Sequence, residues 1–288
     1  MVGRPNVGKS TLTNALCGVK VAIVSNKPQT TRNRITGVRN QGDLQMVFLD
    51  TPGLHKAKNA LGDYMVKIVN QTVAEVDAAI LLVEPVARVG IPEQMLIQRV
   101  KEENLPCVLV INKIDMVKKE ELLETMALYG QTHDFAAIVP LCARDGQGMD
   151  GLLEELAKLC IPSPQLFPDG MVSDQPERQL IAEIIREKAL QKLDKEVPHG
   201  LAVEIERWQE REDGLSEINA AIYCERKSHK GIVIGKHGAM LKEIGAAARY
   251  EIQRLLGGKV YLELWVKVKE DWRNNPNQIR NFGYEDLQ

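Results

Sequence analysis

Short apolar runs in the first 160 residues alternate with segments of helical periodicity. Residues 35–38 and 44–50 flank a polar NQGD turn, which predicts a β-hairpin. Three later runs are apolar without alternation, as is typical of strands buried on both faces of a parallel sheet, and they span residues 77–85, 106–113 and 136–143. Helices are expected around these runs, near residues 59–75, 91–103, 118–129 and 147–160. This order predicts a doubly wound α/β domain over residues 1–160.

A proline-rich segment separates this region from a second pattern. Residues 161–176 contain four prolines, which exclude a regular element, and we expect a linker there. The pattern that follows predicts a helix, two antiparallel strands, a helix broken near Gly245 and an alternating strand, over residues 179–193, 201–210, 218–226, 239–256 and 261–269. The resulting order, α-β-β-α-α-β, indicates a small α+β domain over residues 177–288.

The composition fits two globular domains. The chain has 288 residues, of which 44% are hydrophobic and 26% are charged, and this length favours two packed domains over one. The formal net charge is −2, so a nucleic-acid site would require a local basic patch. No apolar run reaches the roughly 18 residues of a membrane span, and the start of the chain has no apolar signal segment. Five scattered cysteines without a CxxC pair argue against a disulfide framework or a zinc site, and they favour reduced thiols in the cytoplasm.

The string GRPNVGKS near the amino terminus predicts a phosphate-binding loop. Its Gly3, Gly8, Lys9 and Ser10 occupy the fixed positions of the G-x-x-x-x-G-K-[ST] pattern. The glycines would let several backbone N–H groups turn towards phosphate, and the helix expected from Thr11 onward would add its positive end. The alternative is a chance glycine loop before a surface helix. The residues expected to contact the nucleotide here are Gly3, Asn6, Val7, Gly8, Lys9, Ser10 and Thr11.

Two further strings predict a magnesium site and a sensor of the third phosphate. DTPG begins at Asp50 after a predicted strand, so Asp50 would hold Mg²⁺ through water and the Gly53 amide would contact the γ-phosphate. PQTTRNRI lies where a mobile switch loop belongs, and its Thr31 would complete the metal shell with Ser10, with Thr30 as the alternative. An ordinary strand-end turn and a solvated polar loop are the competing interpretations. The predicted catalytic set is Lys9, Thr31 and Gly53.

NKID predicts guanine selectivity. The Asp115 carboxylate can accept hydrogen bonds from the guanine N1–H and exocyclic amine, and adenine offers no such pair of donors. Asn112 and Lys113 would complete the nucleotide contact, and the backbone at Cys142 and Ala143 would contact the guanine carbonyl. Each string follows a predicted parallel strand, where ligands bind in such sheets. Alone, Asp115 could equally cap a helix.

A second glycine-flanked loop, GKHG, lies near the end of the chain and predicts RNA binding. Gly235 and Gly238 flank Lys236 and His237, and residues 226–242 carry five lysines and arginines and no carboxylate. Glycines of such a loop permit close approach of a nucleic-acid backbone. The alternative is a solvated helix–turn surface. The candidate RNA contacts are Lys230, Gly235, Lys236, His237, Gly238 and Lys242.

These strings resemble a known family. GRPNVGKST, KPQTTRNRI, DTPGLH and NKID look like the GTPase half of Era, a family of bacterial ribosome-assembly GTPases. GIVIGKHG is similar to the centre of a KH domain, and ELWVKVKEDW to the family's final strand, so the resemblance covers essentially the whole chain. It implies an α/β P-loop GTPase domain followed by a small α+β type II KH domain. It also implies GTP or GDP with Mg²⁺ as cofactors, and binding to the 3′ end of 16S rRNA in assembly of the 30S ribosomal subunit.

The sequence departs from the family pattern at two positions. Only Met1 and Val2 precede Gly3, where the family has a full first strand, so we expect a truncated strand and a poorly anchored phosphate loop. Cys142 stands where such GTPases usually have serine, but the contact expected there is made by the backbone.

The chemistry expected of the site is slow hydrolysis. Leu54 follows Gly53 where many GTPases have a glutamine, and leucine cannot orient water. Asn6 resembles the asparagine that holds potassium in related GTPases, so K⁺ is a candidate additional cofactor. Surface positions are expected for His55, Arg32 and Arg34.

The two modules together predict a switch. GTP would order residues 26–36 and 53–60 and change the exposure of the GKHG loop. One alternative is an RNA-binding protein whose nucleotide domain binds GTP with little turnover. Another is a GTPase whose second domain docks protein or membrane, and the basic stretch leaves loose association with anionic lipid open. We expect a monomer.

Overall fold

The computed structural model describes residues 1–195 and 197–284. The strands of the first domain are β1 (Val2–Gly3), β2 (Ile35–Gln41), β3 (Leu44–Asp50), β4 (Ala79–Val83), β5 (Cys107–Ile111) and β6 (Ala137–Pro140). Its helices are α1 (Lys9–Cys17), α2 (Ala60–Ala74), α3 (Ile91–Glu102), α4 (Lys119–Gly130) and α5 (Met149–Ala157). Each strand and helix expected from the apolar pattern is present, so the α/β prediction is confirmed.

The parallel sheet of the first domain has the order β1-β4-β5-β6, and β2 and β3 form a separate antiparallel pair. Residues of β4 and β5 are buried on both faces, which explains why the sequence there is apolar without alternation. Leu82 and Val110 pack with α1 and α5, whereas Leu81 and Leu109 pack with α2 and α3 on the other face. The sheet is therefore doubly wound.

The short first strand pairs with its neighbour. Val2 and Gly3 lie in parallel register with Leu81 and Leu82 of β4. The Leu54 N–H donates to the Gly3 carbonyl at 3.1 Å, which ties the DTPG turn to the start of the phosphate loop. The loop is thus held from β4 and from the segment after β3.

The linker, residues 161–176, contains no helix or strand but lies against β2 and β3. The side-chain oxygen of Gln45 accepts hydrogen bonds from the backbone N–H groups of Leu166 and Phe167, each at 2.9 Å. The Val38 N–H donates to the Val172 carbonyl at 2.9 Å. The bond from Val38 occupies a backbone N–H of β2 that would otherwise be open to pairing with another strand.

The second domain has the predicted α-β-β-α-α-β order, followed by one further helix that was not predicted. Its elements are α6 (Glu177–Lys192), β7 (Ala202–Glu210), β8 (Leu215–Cys224), α7 (Lys227–Ile234), α8 (Ala239–Leu256), β9 (Lys259–Val268) and α9 (Pro276–Asn281). The sheet order is β7-β8-β9, with β8 antiparallel to β7 and parallel to β9. Alternate residues of β9 face the core, and Val260 and Val266 are buried there.

The expected break near Gly245 is wrong. Helix α8 continues through this residue, and the second helix of the α-α pair is the separate α7. A glycine inside a helix costs only about 1 kcal/mol relative to alanine. The buried Ile244, Ala248 and Ile252 hold the helix on the sheet, and this packing outweighs that cost.

The domains pack closely on each other. Leu61 and Met65 of α2 belong to one buried cluster with Trp272 and Tyr284 of the second domain. No helix in the part of the chain described here is long and apolar enough to cross a membrane.

Candidate functional site

The phosphate loop depends on a glycine at its last turn. Gly8 has a φ of 102°, and a Cβ there would lie 2.2 Å from the side-chain nitrogen of Asn112. Helix α1 begins at the next residue, Lys9, two residues before the expected Thr11. The loop therefore leads directly into the N-terminus of a helix, and a helix N-terminus favours a bound anion.

Lys9 lies under the loop and contacts its backbone. Its Nζ donates to the carbonyls of Gly3 and Arg4 at 3.2 and 3.0 Å. Burial lowers the pKa of Lys9 to about 8, and the nearby Asp50 opposes this shift. A phosphate would offer this ammonium a stronger, charge-assisted partner than the two carbonyls.

The three predicted magnesium ligands come together. The Ser10 Oγ lies 2.8 Å from the Thr31 Oγ1 and 2.6 Å from the Asp50 Oδ2. The Oδ1 of Asp50 is buried without a partner, and burial raises the pKa of this carboxyl against the opposing effects of Lys9 and Ser10. Two hydroxyls and a carboxylate with an unused oxygen form a donor set that suits Mg²⁺. The alternative residue Thr30 bonds instead to Ser25 and to the Lys27 carbonyl.

Asn112 and Lys113 join the NKID turn to the phosphate loop. The Asn112 Nδ2 donates to the Val7 carbonyl at 2.8 Å, and its Oδ1 accepts from the Ala143 N–H at 3.0 Å. The Lys113 Nζ donates to the Asn6 carbonyl at 2.7 Å and pairs with Glu84 at 2.6 Å. Sequence reasoning missed Glu84, although its charge directly after a buried strand was a usable signal.

The Asp115 carboxylate has two side-chain partners in the structure. Its carboxylate accepts from the Arg144 guanidinium at 2.9 Å and from the Cys142 thiol at 3.1 Å. Arg144 has a side chain that is 77% exposed, so a base could displace it at little cost.

The turn after β3 packs directly on the phosphate loop. A Cβ at Gly53 would lie 2.5 Å from the Pro5 nitrogen, so this contact requires glycine. Leu54 is buried in the core and cannot reach a water molecule. His55 was expected at the surface; its ring is half-buried and lies 2.9 Å from the Gly53 carbonyl and 2.9 Å from the Gln29 amide nitrogen.

A cavity of about 450 Å³ lies between these elements. It is lined by Pro5, Asn6, Gly8, Lys9, Ser10, Thr11, Ile23, Val24, Ser25, Asn26, Gln29, Thr30, Thr31, Gly53 and Lys113. Gly3, Val7, Asp50, Asn112, Asp115, Cys142 and Ala143 are outside that lining. A larger cavity of about 640 Å³ between the domains contains none of the predicted nucleotide contacts.

Arg32 and Arg34 were both expected at the surface, but the structure buries Arg32 and leaves Arg34 partly exposed. Arg32 is only 2% exposed, and its guanidinium donates to backbone carbonyls of the second domain, so that expectation is wrong. Burial is possible because those carbonyls replace the water lost by the charge. Arg34 pairs with Glu75 at 2.6 Å and keeps a quarter of its side chain exposed.

The GKHG loop joins α7 to α8 and contains three residues with positive φ. Gly235, His237 and Gly238 have φ values of 73°, 52° and 78°. A Cβ at Gly235 would lie 2.6 Å from the Met240 Cβ, so only glycine fits there. The side chains of Lys236 and His237 are exposed, as an RNA contact requires.

A groove of about 440 Å³ runs from this loop along α8 and β9. It is lined by Gly238, Leu241, Lys242, Gly245, Ala246, Arg249, Tyr261, Leu262, Glu263 and Leu264. Lys242 was predicted, whereas Arg249 and Tyr261 were missed. The signal for Arg249 was its spacing, since it follows Lys242 by seven residues on the same helical face.

Known proteins share this arrangement. The family model described as "50S ribosome-binding GTPase" matches residues 1–113, and the one described as "KH domain" matches residues 196–273. The chain is 51% identical to GTPase Era of Ruminiclostridium cellulolyticum over 285 residues, covering 99% of this chain and 96% of that protein. It is 49% identical to GTPase Era of Clostridioides difficile over 288 residues, covering 99% and 97%.

Two solved structures superpose with a TM-score of 0.95 at 40% identity, covering 99% of this chain and 97% of each. One is Era in complex with MgGDPNP and nucleotides 1506–1542 of 16S ribosomal RNA. The other is an Aquifex aeolicus Era variant bound to GDP·AlF4⁻.

Proposed function

This chain belongs to the Era family of GTPases, and on that premise we propose that it couples GTP hydrolysis to binding of 16S rRNA during assembly of the 30S ribosomal subunit. The first domain, residues 1–160, would hold GTP or GDP with Mg²⁺. The second domain, residues 177–288, would bind the RNA through the GKHG loop.

The main support for a nucleotide site in the first domain is that Ser10, Thr31 and Asp50 lie together beside Lys9. Residues from the phosphate loop, the switch loop and the DTPG turn meet there, and their oxygens suit a cation that neutralises phosphate. Bound Mg²⁺ would supply positive charge to the phosphates.

Hydrolysis would rest on positioning and charge. Lys9 would leave the carbonyls of Gly3 and Arg4 and bind the β- and γ-phosphates, and the Gly53 N–H would contact the γ-phosphate. Because Leu54 is buried and apolar, no side chain at that position orients the attacking water, and turnover without a partner would be slow.

Asn6 supports a monovalent cation as a further cofactor. Its side-chain nitrogen lies 3.0 Å from the Asn26 carbonyl oxygen, and the residue lines the nucleotide cavity. With the amide turned over, two oxygens would face a K⁺ ion near the phosphates. Hydrolysis measured in equal concentrations of KCl and NaCl tests this, and equal rates would refute it.

The groove beside the GKHG loop supports the RNA half. Exposed Lys236, Lys242 and Arg249 would neutralise the backbone, and the apolar side chains of Leu241 and Leu264 would support bases. The small subunit is preferred because the superposed Era structure holds a piece of 16S rRNA.

The test makes two comparisons on the full chain. Titration with GDP and ADP in the presence of Mg²⁺ should show a large preference for guanine, and no preference would refute the nucleotide assignment. An RNA oligonucleotide from the 3′ end of 16S rRNA should bind more tightly than its scrambled sequence. Equal binding of the two would refute the specific target.

A second candidate is an RNA-binding protein that holds GTP and barely hydrolyses it, which the buried Leu54 favours. Single-turnover hydrolysis separates the two. A rate that stays at the uncatalysed level with the RNA present would support this alternative.

We further propose that the chain is a cytoplasmic monomer that contacts membranes only at their surface. The basic side chains around the GKHG loop would attract anionic lipid only loosely. Light scattering, which measures molar mass in solution, tests whether the chain is a monomer. Sedimentation with phosphatidylserine vesicles tests the lipid contact. If the fraction of protein in the pellet does not fall as salt is added, a loose electrostatic contact is contradicted.

A further inference from the structure

The second domain holds the switch loop on both sides of Thr31. The carbonyl of the preceding Thr30 accepts a hydrogen bond from Arg186 of α6. The following residue, Arg32, inserts its side chain into the second domain. Thr31 itself faces the first domain, where its hydroxyl contacts Ser10. One short segment therefore faces the metal ligands at one residue and the second domain at its neighbours.

The site that receives Arg32 is built from backbone and aromatic groups. The guanidinium donates to the Leu201 carbonyl at 2.7 Å, to the His199 carbonyl at 3.1 Å and to the Tyr284 hydroxyl at 3.1 Å. Its central carbon lies 5.6 Å from the centre of the Trp272 ring, a distance typical of cation–π contacts. A fixed, planar side chain with several donors suits this site, and a lysine could serve only part of it.

Neighbouring contacts make the receiving site rigid. The Trp272 indole N–H donates to the Gly200 carbonyl at 2.9 Å, between the two carbonyls that Arg32 binds. The side chain of Asn33 donates to the Gly283 carbonyl at 2.9 Å. The segment after Thr31 is thus fixed to the start of β7 and to the end of the described chain.

The geometry points to a positioning role for Arg32. We propose that Arg32, by anchoring in the second domain, holds the Thr31 hydroxyl against Ser10 and Asp50, where it can join a metal bound with a third phosphate. This rests on the proposed nucleotide site and deepens it, because it names the residue through which the second domain acts on that site. Contact with the base and the first two phosphates uses other residues, so GDP binding should not depend on Arg32.

The test compares nucleotide affinity without RNA in wild type, Arg32→Ala and Arg34→Ala. Arg34→Ala is the matched control, because it removes an arginine two positions away whose partner is the first-domain Glu75. With Mg²⁺ present, Arg32→Ala should lower the affinity for the non-hydrolysable analogue GDPNP about tenfold or more. A change of this size is typical of coupled sites. It should change GDP affinity less than about twofold, and Arg34→Ala should change neither.

Three further readouts separate positioning from general damage. The Mg²⁺ concentration needed for half-maximal GDPNP binding should rise in Arg32→Ala, and Thr31→Ala should produce the same rise. The double variant should be no worse than either single one, because both remove the same contact. If Arg32→Ala does not fold, Arg32→Lys keeps the buried charge and should give a smaller loss of the same kind.

Two results would overturn the proposal. One is an unchanged ratio of GDPNP to GDP affinity in Arg32→Ala, or in Arg32→Lys where only that variant folds. The other is an equal loss in Arg34→Ala. If wild type itself binds no guanine nucleotide, the proposed function fails and this inference fails with it. If wild type binds and the Arg32 variants match it, only the inference fails.

Discussion

The side-chain amide of Asn112 donates to the Val7 carbonyl at 2.8 Å, and so one residue of the NKID turn supports the phosphate loop. Its oxygen also accepts from the Ala143 N–H at 3.0 Å. Asn112 is only 3% exposed, so water cannot replace it at either partner. The phosphate end and the base end of the site are therefore held by one side chain.

Asn112→Ala should weaken GTP and GDP binding to a similar extent. The substitution leaves two buried backbone groups unpaired, and each costs about 1–3 kcal/mol of unfolding free energy. Because the phosphate loop and the base end of the site lose their shared support, the affinity for both nucleotides should also fall roughly tenfold, which corresponds to about 1.4 kcal/mol of binding free energy. Calorimetry and thermal unfolding check this, with Asn70→Ala on the exposed face of α2 as the control. A loss confined to GTP would contradict the role described.

Asp115→Asn should change base selectivity. A hydrogen bond to a charged group is worth about 1.5–3 kcal/mol, so GDP affinity should fall at least about tenfold. Xanthine carries a carbonyl where guanine carries its exocyclic amine, and an asparagine amide can donate to that carbonyl. Binding of XDP should therefore improve while GDP binding weakens. Asp43→Asn, at the tip of the β2–β3 hairpin, should alter neither, and parallel losses for both nucleotides would count against Asp115 as the base contact.

Lys236→Gln should weaken RNA binding and its salt dependence together. Each phosphate contact to single-stranded nucleic acid contributes about 0.7 to the slope of log affinity against log salt. Fluorescence anisotropy at several KCl concentrations measures this slope. The control is Lys119→Gln, which removes an exposed lysine at the start of α4. A slope equal to that of wild type would show that Lys236 makes no phosphate contact.

Gln45→Ala should release the linker without touching the nucleotide site. The substitution removes the acceptor for the Leu166 and Phe167 N–H groups. Limited proteolysis should then cut within residues 161–176 faster than in wild type, because exposed segments without backbone partners are cut first. GDP affinity should stay the same. Gln41→Ala at the end of β2 is the control, and identical cleavage of all three proteins would refute docking of the linker by Gln45.

The sequence predicted those parts of the structure that depend on local pattern. The apolar run that ends at Ile111 predicted a buried strand correctly. A strand buried on both faces is apolar at every position, and this pattern can be recognised from the local sequence alone. The fixed spacing of the motifs likewise placed Lys9 in the phosphate loop and Asp115 after β5, and their contacts with nucleotide stay predictions. Gly245 failed as a helix breaker because tertiary packing outweighed a weak local preference.

The rest depended on contacts between distant parts of the chain. Arg32 looks like a surface residue, since its partners at His199 and Leu201 lie more than 160 positions away. The docking of the linker on Gln45 was hidden for the same reason. The local sequence pattern contains no information about whether a charged side chain will bind backbone carbonyls in another domain.

We expect the bound nucleotide to control the RNA-binding domain. The most direct measurement is the affinity of the wild-type chain for an RNA from the 3′ end of 16S rRNA, with Mg²⁺ and saturating GDPNP or GDP. We expect the two dissociation constants to differ by at least about fivefold, the lower end of typical coupling between sites. Equal dissociation constants in the two nucleotide states would contradict it.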